Sequence, residues 1–230
     1  MTAPLAVQWR PSPNWNARRG PGIRAVVLHY TGMPSGDEAE ARLRDPRSEV
    51  SAHYLLHEDG RIVQMVAERH RAWHAGRSWW RGDDDLNSSS IGIEIVNPGH
   101  EWGYRPFPPA QIARLLLLLG DIVARHAIRP DWVLGHSDVA PGRKMDPGEL
   151  FPWTLLQAHG LALAQPPVLD SDPGWDDAAF IGALGDFGYD VTDAPAAVLA
   201  FQRHFRQARV DGGIDGESRA ILRTLLRLRA

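Results

Sequence analysis

The sequence predicts an α/β fold, a mixed central β-sheet flanked by helices, followed by a small C-terminal three-helix domain. Three observations carry this expectation. Over about the first 160 residues, β-rich runs and helical stretches mix without the strict alternation of a doubly wound parallel sheet. Two strand-like runs are joined by Glu58-Asp59-Gly60, which supplies hairpin turn chemistry. Residues 175–230 carry helical apolar spacing and no strand-like run.

In chain order, residues 24–31 (RAVVLHYT) read as a short buried strand. Residues 37–44 read as a helix that Pro46 stops. Residues 51–56 and 61–66 are the two arms of the hairpin, and residues 91–96 (IGIEIV) form another strand, ended by Asn97-Pro98-Gly99. Pro108-Pro109 opens a helix running to about His126, so apolar over several turns that it is expected to be well buried. A short strand at 132–134 feeds Gly135-His136, and the Pro- and Gly-rich residues 140–152 form a loop. The chain thus divides into residues 1–164, a proline-containing polar linker at 165–174, and residues 175–230. The first helix of this last part carries Phe180, Leu184 and Phe187. The second, capped by Asp193 with Pro195 in its first turn, carries Val198, Phe201 and Phe205. The third carries Ile221, Leu225 and Leu228. So small a bundle needs good packing or a neighbour.

The 230 residues accommodate one enzyme domain and a small module. A net charge of −3 with no basic run gives no nucleic-acid footprint. There is no cysteine, which excludes disulfides, thiolate metal sites and a Cys nucleophile and leaves His, Asp and Glu to hold any metal. The N-terminus has neither a basic n-region nor a continuous apolar h-region. The longest apolar run, residues 115–119, is far short of the ~20 residues a membrane span needs. The expectation is a cytoplasmic chain, the alternative being the periplasm or envelope if a leader has been removed.

Several polar residues stand where chemistry would need them. His29 ends an apolar strand, where it reads as a structural residue or as a ligand. Glu94, in the middle of IGIEIV, reads either as an edge-strand carboxylate facing water or as a buried acid or base with a raised pKa. Gly135-His136-Ser137-Asp138 is followed by a loop holding Lys144 and Asp146. In extended backbone those two point to one side, with Met145 packing behind. Two His and one Asp would leave the fourth corner of a tetrahedral zinc site open, the pattern of catalytic rather than structural zinc. Spacing alone only suggests this, and no HExxH is present.

The segments HYTG at 29–32, SAHYLLHEDGRIVQMV at 51–66, WHAG at 73–76, NSSSIGIEIVNPGH at 87–100 and GHSDVAPGRKMDPGELFPW at 135–153 resemble the type 2 N-acetylmuramoyl-L-alanine amidases. These are zinc enzymes related to phage lysozyme-type amidases and to peptidoglycan recognition proteins. The resemblance covers about residues 20–160. It implies one Zn2+ per chain on His29, His136 and Asp146, Glu94 as the catalytic acid–base group and Lys144 as a second catalytic residue. It also implies a zinc groove above a mixed sheet, and peptidoglycan or muropeptide fragments as substrate. It places His53 and His74 near the groove, as substrate contacts or as hydrogen-bonded wall residues. Asn97, just after the catalytic strand, is a candidate contact to the stem peptide. Trp79-Trp80 and Asp83-Asp84-Asp85 read as a surface loop, and the remaining histidines as structural or solvated. FGYDVTDAPAAVLAFQRHF and VDGGIDGESRAILRTL resemble the three-helix peptidoglycan-binding domain attached to wall hydrolases. Two other functions fit the motifs: a non-catalytic recognition module on the same fold, which would lack ligands that are present here, and a zinc peptidase acting within the stem peptide.

Overall fold

A computed structural model describes residues 5–229. Residues 1–4, the start of the N-terminal segment read above for a signal, and Ala230 lie outside the described residues. The strands are β1 (Val7–Trp9), β2 (Trp15–Ala17), β3 (Ala25–Tyr30), β4 (Tyr54–Leu56), β5 (Ile62–Gln64), β6 (His70–Ala72), β7 (Ser90–Ile95) and β8 (Val133–Gly135). The helices are α1 (Gly36–Arg44), α2 (Leu86–Ser89), α3 (Gly99–Trp102), α4 (Pro109–His126), α5 (His136–Val139), α6 (Trp153–Ala158), α7 (Asp177–Phe187), α8 (Ala194–Phe205) and α9 (Gly216–Arg229). No helix among the described residues is long and apolar enough to cross a membrane.

The main sheet runs β1-β5-β4-β7-β3-β8, and a two-stranded ribbon pairs β2 with β6. Strands β4, β7, β3 and β8 are mutually parallel, while β4 and β5 form the expected antiparallel hairpin, so the sheet is mixed. Its turn needs Gly60: φ is 86°, and a Cβ there would lie 2.6 Å from Cγ of Arg114.

Strand β3 lies between β7 and β8 and is buried on both faces, which is why it reads as a nearly unbroken apolar run. Alternation along it separates two cores. Val26 and Leu28 join Ile91, Ile93 and Ile95 of β7 beneath α4. Ala25 and Val27 face the opposite way, into a cluster that includes Phe180, Phe187 and Phe201 of the C-terminal helices. The parts of the chain that the sequence divides at 165–174 therefore share one apolar cluster. His29 and Glu94 continue this second face toward the strand ends.

Helix α4 begins with Pro109, whose missing N–H costs nothing in the first turn, and buries Ile112, Leu115, Leu118, Leu119 and Ile122. It is one-sided rather than buried throughout, with Leu117 exposed to water. Helices α7 and α8 are capped by Asp176 and Asp193, which accept from the N–H groups of Ala179 and Ala196. The apolar positions read for the bundle are buried except Leu228, which faces water in the last turn of α9. The Trp79-Trp80 expectation needs correcting. Trp79 is exposed, but Trp80 is buried and packs edge-on against Phe187 and Tyr189, because a bridge between Trp80 and Asp83 folds the loop inward.

Candidate metal centre

His29 and Glu94 are register partners on the parallel neighbours β3 and β7, so their side chains leave the same face one strand spacing apart. The residues that meet them come from 136–146, which starts where β8 ends. Gly135 hands the chain to α5, which opens with His136, and the backbone turns at 141–143 and comes back to Asp146. The N–H of Ser137 donates to the carbonyl of Asp146 at 2.9 Å, locking the two ends of this excursion together. Arg143 donates to the carbonyls of Ala75 and Arg77, both at 2.6 Å, and fastens the segment to the WHAG turn.

Three ligand atoms converge. Nδ1 of His29 lies 2.9 Å from Nδ1 of His136 and 3.1 Å from Oδ2 of Asp146, and Nδ1 of His136 lies 2.9 Å from the same oxygen. All three residues are buried. The hydrogen bonds behind them fix the tautomers. Nε2 of His136 faces the carbonyl of Ala75 at 3.1 Å and must donate to it. The Ser90 hydroxyl donates to the carbonyl of Leu86, so Ser90 Oγ accepts from Nε2 of His74 at 3.3 Å. Nδ1 of His74 is then an acceptor, and it takes the Nε2 proton of His29 at 3.1 Å. Both ligand Nδ1 atoms are left with lone pairs aimed at each other and at a carboxylate oxygen. Burial, followed by the neighbouring His136, lowers the His29 pKa to about 4, which keeps its ring neutral. The histidines pull the Asp146 carboxyl well below the usual range against the opposing effect of burial, which keeps it ionised.

Three electron pairs in one buried space repel unless a cation sits among them. The donor separations approach the ~3.4 Å edge of a tetrahedron with ~2.1 Å ligand bonds, so the residues present fit a metal ion. Two imidazoles and one carboxylate suit a first-row transition metal better than the oxygen-only shells of Mg2+ or Ca2+.

The centre opens into a cavity of about 350 Å³ whose walls include Tyr30, Arg42, Trp73, Glu94 and Lys144. Oε2 of Glu94 is buried without a hydrogen-bond partner. Burial, then the nearby Asp146 carboxylate, push its pKa well above the ordinary value, with Lys144 opposing. Lys144 and Asp146 both line this cavity, but Met145 lines it too and is 41% exposed rather than packed behind it.

His74 belongs here in a particular way. Its ring lies against Gly92 of β7, where a Cβ would come within 2.3 Å of it, and its Nδ1 faces the back of His29. The structure does not bring His53 or Asn97 into the cavity. His53 is fully buried, with Nδ1 accepting from the N–H of Gly92 and Nε2 near Arg18 and the carbonyl of His70. Asn97 donates to the carbonyl of Arg105 and accepts from the N–H of Gly99, closing the turn after β7. Their polar atoms are used inside the scaffold. Sequence reasoning missed Ser90, which orients His74, and Asn87, whose Oδ1 accepts from the N–H groups of His74 and Ala75. Both lie in the quoted block 87–100, the one signal that could have found them. Tyr30 and Trp73, in HYTG and WHAG, were equally available as cavity walls.

The family model described as N-acetylmuramoyl-L-alanine amidase matches residues 18–149. N-acetylmuramoyl-L-alanine amidase AmiD of Escherichia coli strain K12 is 39% identical over 233 residues, spanning 90% of this chain and 83% of that protein. The solved complex of E. coli AmiD with anhydro-N-acetylmuramic acid-L-Ala-D-γ-Glu-L-Lys superposes with a TM-score of 0.80 at 38% identity, covering 90% of this chain and 89% of that one. AmpDh3 of Pseudomonas aeruginosa, solved with an anhydromuramic pentapeptide, gives a TM-score of 0.78 at 32% identity over 96% of both chains.

Proposed function

The chain belongs to the N-acetylmuramoyl-L-alanine amidase family, and from that premise we propose a full assignment of its site: His29, His136 and Asp146 hold one Zn2+, Glu94 moves the proton, and Lys144 steadies developing negative charge. The protein hydrolyses the amide between N-acetylmuramic acid and L-alanine. By the ligands named for AmiD and AmpDh3, the proposed substrates are anhydromuropeptides, the fragments handled in cell-wall recycling. The observation that carries the site assignment is the convergence of three lone-pair-bearing atoms in one cavity with the half-buried Glu94, whose Oε2 is buried and unpartnered.

When bound there, the ion supplies a Lewis acid that polarises the scissile carbonyl and makes water acidic enough to ionise near neutral pH. Glu94 takes a proton from the attacking water. The water oxygen bonds to the lactyl carbonyl carbon, and the C–N bond then breaks. The same carboxyl returns its proton to the departing L-alanine nitrogen, leaving a free carboxylate on the sugar and a free amine on the peptide. A raised pKa suits Glu94 to both directions of this transfer. The Lys144 ammonium, on the cavity wall, stabilises the oxyanion of the tetrahedral intermediate. Arg42 and Arg143 on the same wall give the cavity positive charge for the carboxylates of a stem peptide.

Mass spectrometry of a digested anhydromuropeptide tests this reading. Free anhydro-sugar with an intact peptide is the expected product pair. A shortened peptide still joined to its sugar would mean peptidase action, and an unchanged substrate with the zinc-loaded protein would mean recognition alone. For residues 175–230 we propose contact with polymeric wall, as their sequence resemblance suggests. Sedimentation of the whole chain with insoluble peptidoglycan checks this, and a chain that stays in the supernatant contradicts it.

A further inference from the structure

Asp138 lies two residues beyond His136 and is completely buried. Its Oδ2 accepts from the N–H of Gly135 and from Nδ1 of His204, each at 2.7 Å, and its Oδ1 accepts from the Tyr189 hydroxyl at 2.6 Å. Two of these three partners belong to the C-terminal helical part: Tyr189 just after α7 and His204 in the last turn of α8. His204 is itself held firmly, stacked 3.7 Å from Trp153, with Nε2 facing the carbonyl of Leu163 at 3.0 Å. Just past α8, Gln207 donates from Nε2 to the carbonyls of Glu149 and Phe151, both at 2.7 Å. The segment that carries His136, Lys144 and Asp146 is therefore gripped at both ends by one helix and its following turn.

We propose that α8 positions the metal-bearing segment, with Tyr189, His204 and Gln207 acting as positioning residues for the amidase centre. The inference rests on the ligand assignment above.

The physical case has three parts. Residues 140–148 have no strand or helix of their own, so their shape depends on outside ties. The Asp138 carboxylate holds the N–H of Gly135, the residue just before His136, and the Ser137 to Asp146 hydrogen bond carries that position to the second ligand. A buried carboxylate stripped of two of its three donors is costly, and the turn would move to rehydrate it. Ligand and catalytic atoms work only within about 0.5 Å of their productive positions, so a small shift of this turn reaches the chemistry.

The test compares His204→Leu, His204→Asn, Tyr189→Phe and Gln207→Ala in the full chain. Folding is followed by far-UV circular dichroism, Zn2+ affinity by chelator competition, and kcat and KM at saturating Zn2+. An asparagine amide can occupy the place of Nδ1 and donate to Asp138, so His204→Asn is the rescue. His204→Leu is expected to weaken Zn2+ binding about tenfold, the scale of lost support behind a metal ligand, and to lower kcat with KM unchanged. Tyr189→Phe and Gln207→Ala shift both in the same direction by less, and His204→Asn returns close to the unmodified protein. Folded variants that lose thermal stability yet keep Zn2+ affinity and kcat would overturn the proposal. If His204→Leu does not fold, Tyr189→Phe, which deletes one oxygen, decides by the same two readings. Asp146→Ala is the control: its retention of Zn2+ would mean that the ligand assignment failed, whereas its loss beside unaffected α8 variants would mean that only the positioning role failed.

Discussion

Glu94→Gln should separate catalysis from metal binding and from folding. The substitution keeps the volume of the side chain and removes its charge and proton affinity. The three ligand atoms come from other residues, so bound zinc should stay at one equivalent. Loss of a positioned general base costs about a hundred- to ten-thousandfold in rate, or about 3–5 kcal/mol of barrier. Stability should move the other way in the chelated, metal-free protein. Burial and the Asp146 carboxylate raise the Glu94 pKa above 4.5, so the folded state holds a proton that the unfolded chain releases. For a carboxyl raised in this sense, stability is intact below 4.5 and declines as pH rises through the folded pKa. Glutamine has no such decline, so the variant should melt above the unmodified chain at pH 8 and together with it near pH 4. Peptide release by chromatography, zinc by atomic emission and calorimetry of the chelated protein read the three quantities. A variant that keeps kcat within a few-fold, or that loses zinc along with activity, would refute the reasoning.

Other expectations follow from the same geometry. Asp146→Ala should bind no zinc at micromolar concentrations, and a stoichiometric metal content would contradict the ligand set. Lys144→Met should retain zinc and lose about a hundredfold or more in kcat, measured on the same muropeptide; an unchanged kcat would remove Lys144 from the reaction. Gly92→Ala places a methyl where the His74 ring lies, and with the hydrogen bond behind His29 displaced, zinc affinity should fall about tenfold; chelator competition checks it. Glu68 gives a pH signature far from the site: burial raises its pKa, but hydrogen bonds from Arg125, Tyr54 and His126 outweigh this and lower it from 4.5 to about 2. Its contribution is present above pH 4.5 and lost as pH falls through about 2, so Glu68→Gln should cost about 1–2 kcal/mol at neutral pH after allowance for solvent screening, and the difference should shrink in melts taken toward pH 2.

Much of the site was legible because its residues break local patterns. A carboxylate in IGIEIV and an imidazole ending RAVVLHYT stand out against apolar strands, and the Pro- and Gly-rich run from 135 to 148 announces a fixed loop with His, Lys and Asp on it. The pairing of His29 with Glu94 was not legible, since it depends on β3 and β7 being neighbours across about sixty residues of chain. The place of His74 needs three separate segments at once: the ring, the missing Cβ of Gly92 and the back of His29. Residue type alone does not decide between wall and contact. His53 and Asn97 hold their polar atoms against Gly92, His70, Arg18, Arg105 and Gly99 inside the scaffold, and Trp80, read as part of a surface loop in a polar, Gly-containing stretch, is buried beneath the C-terminal helices. His204 lies in the AFQRHF end of the segment that resembles a wall-binding domain, which points to nothing near the metal, and only the packing of α8 against α5 brings it to Asp138.

Anomalous diffraction at the zinc edge, from crystals of the zinc-loaded chain, addresses the metal directly. One peak within about 2.0–2.2 Å of Nδ1 of His29, Nδ1 of His136 and Oδ2 of Asp146 is the predicted result. A peak held by other side chains, or none at these three atoms with zinc in excess, would contradict it.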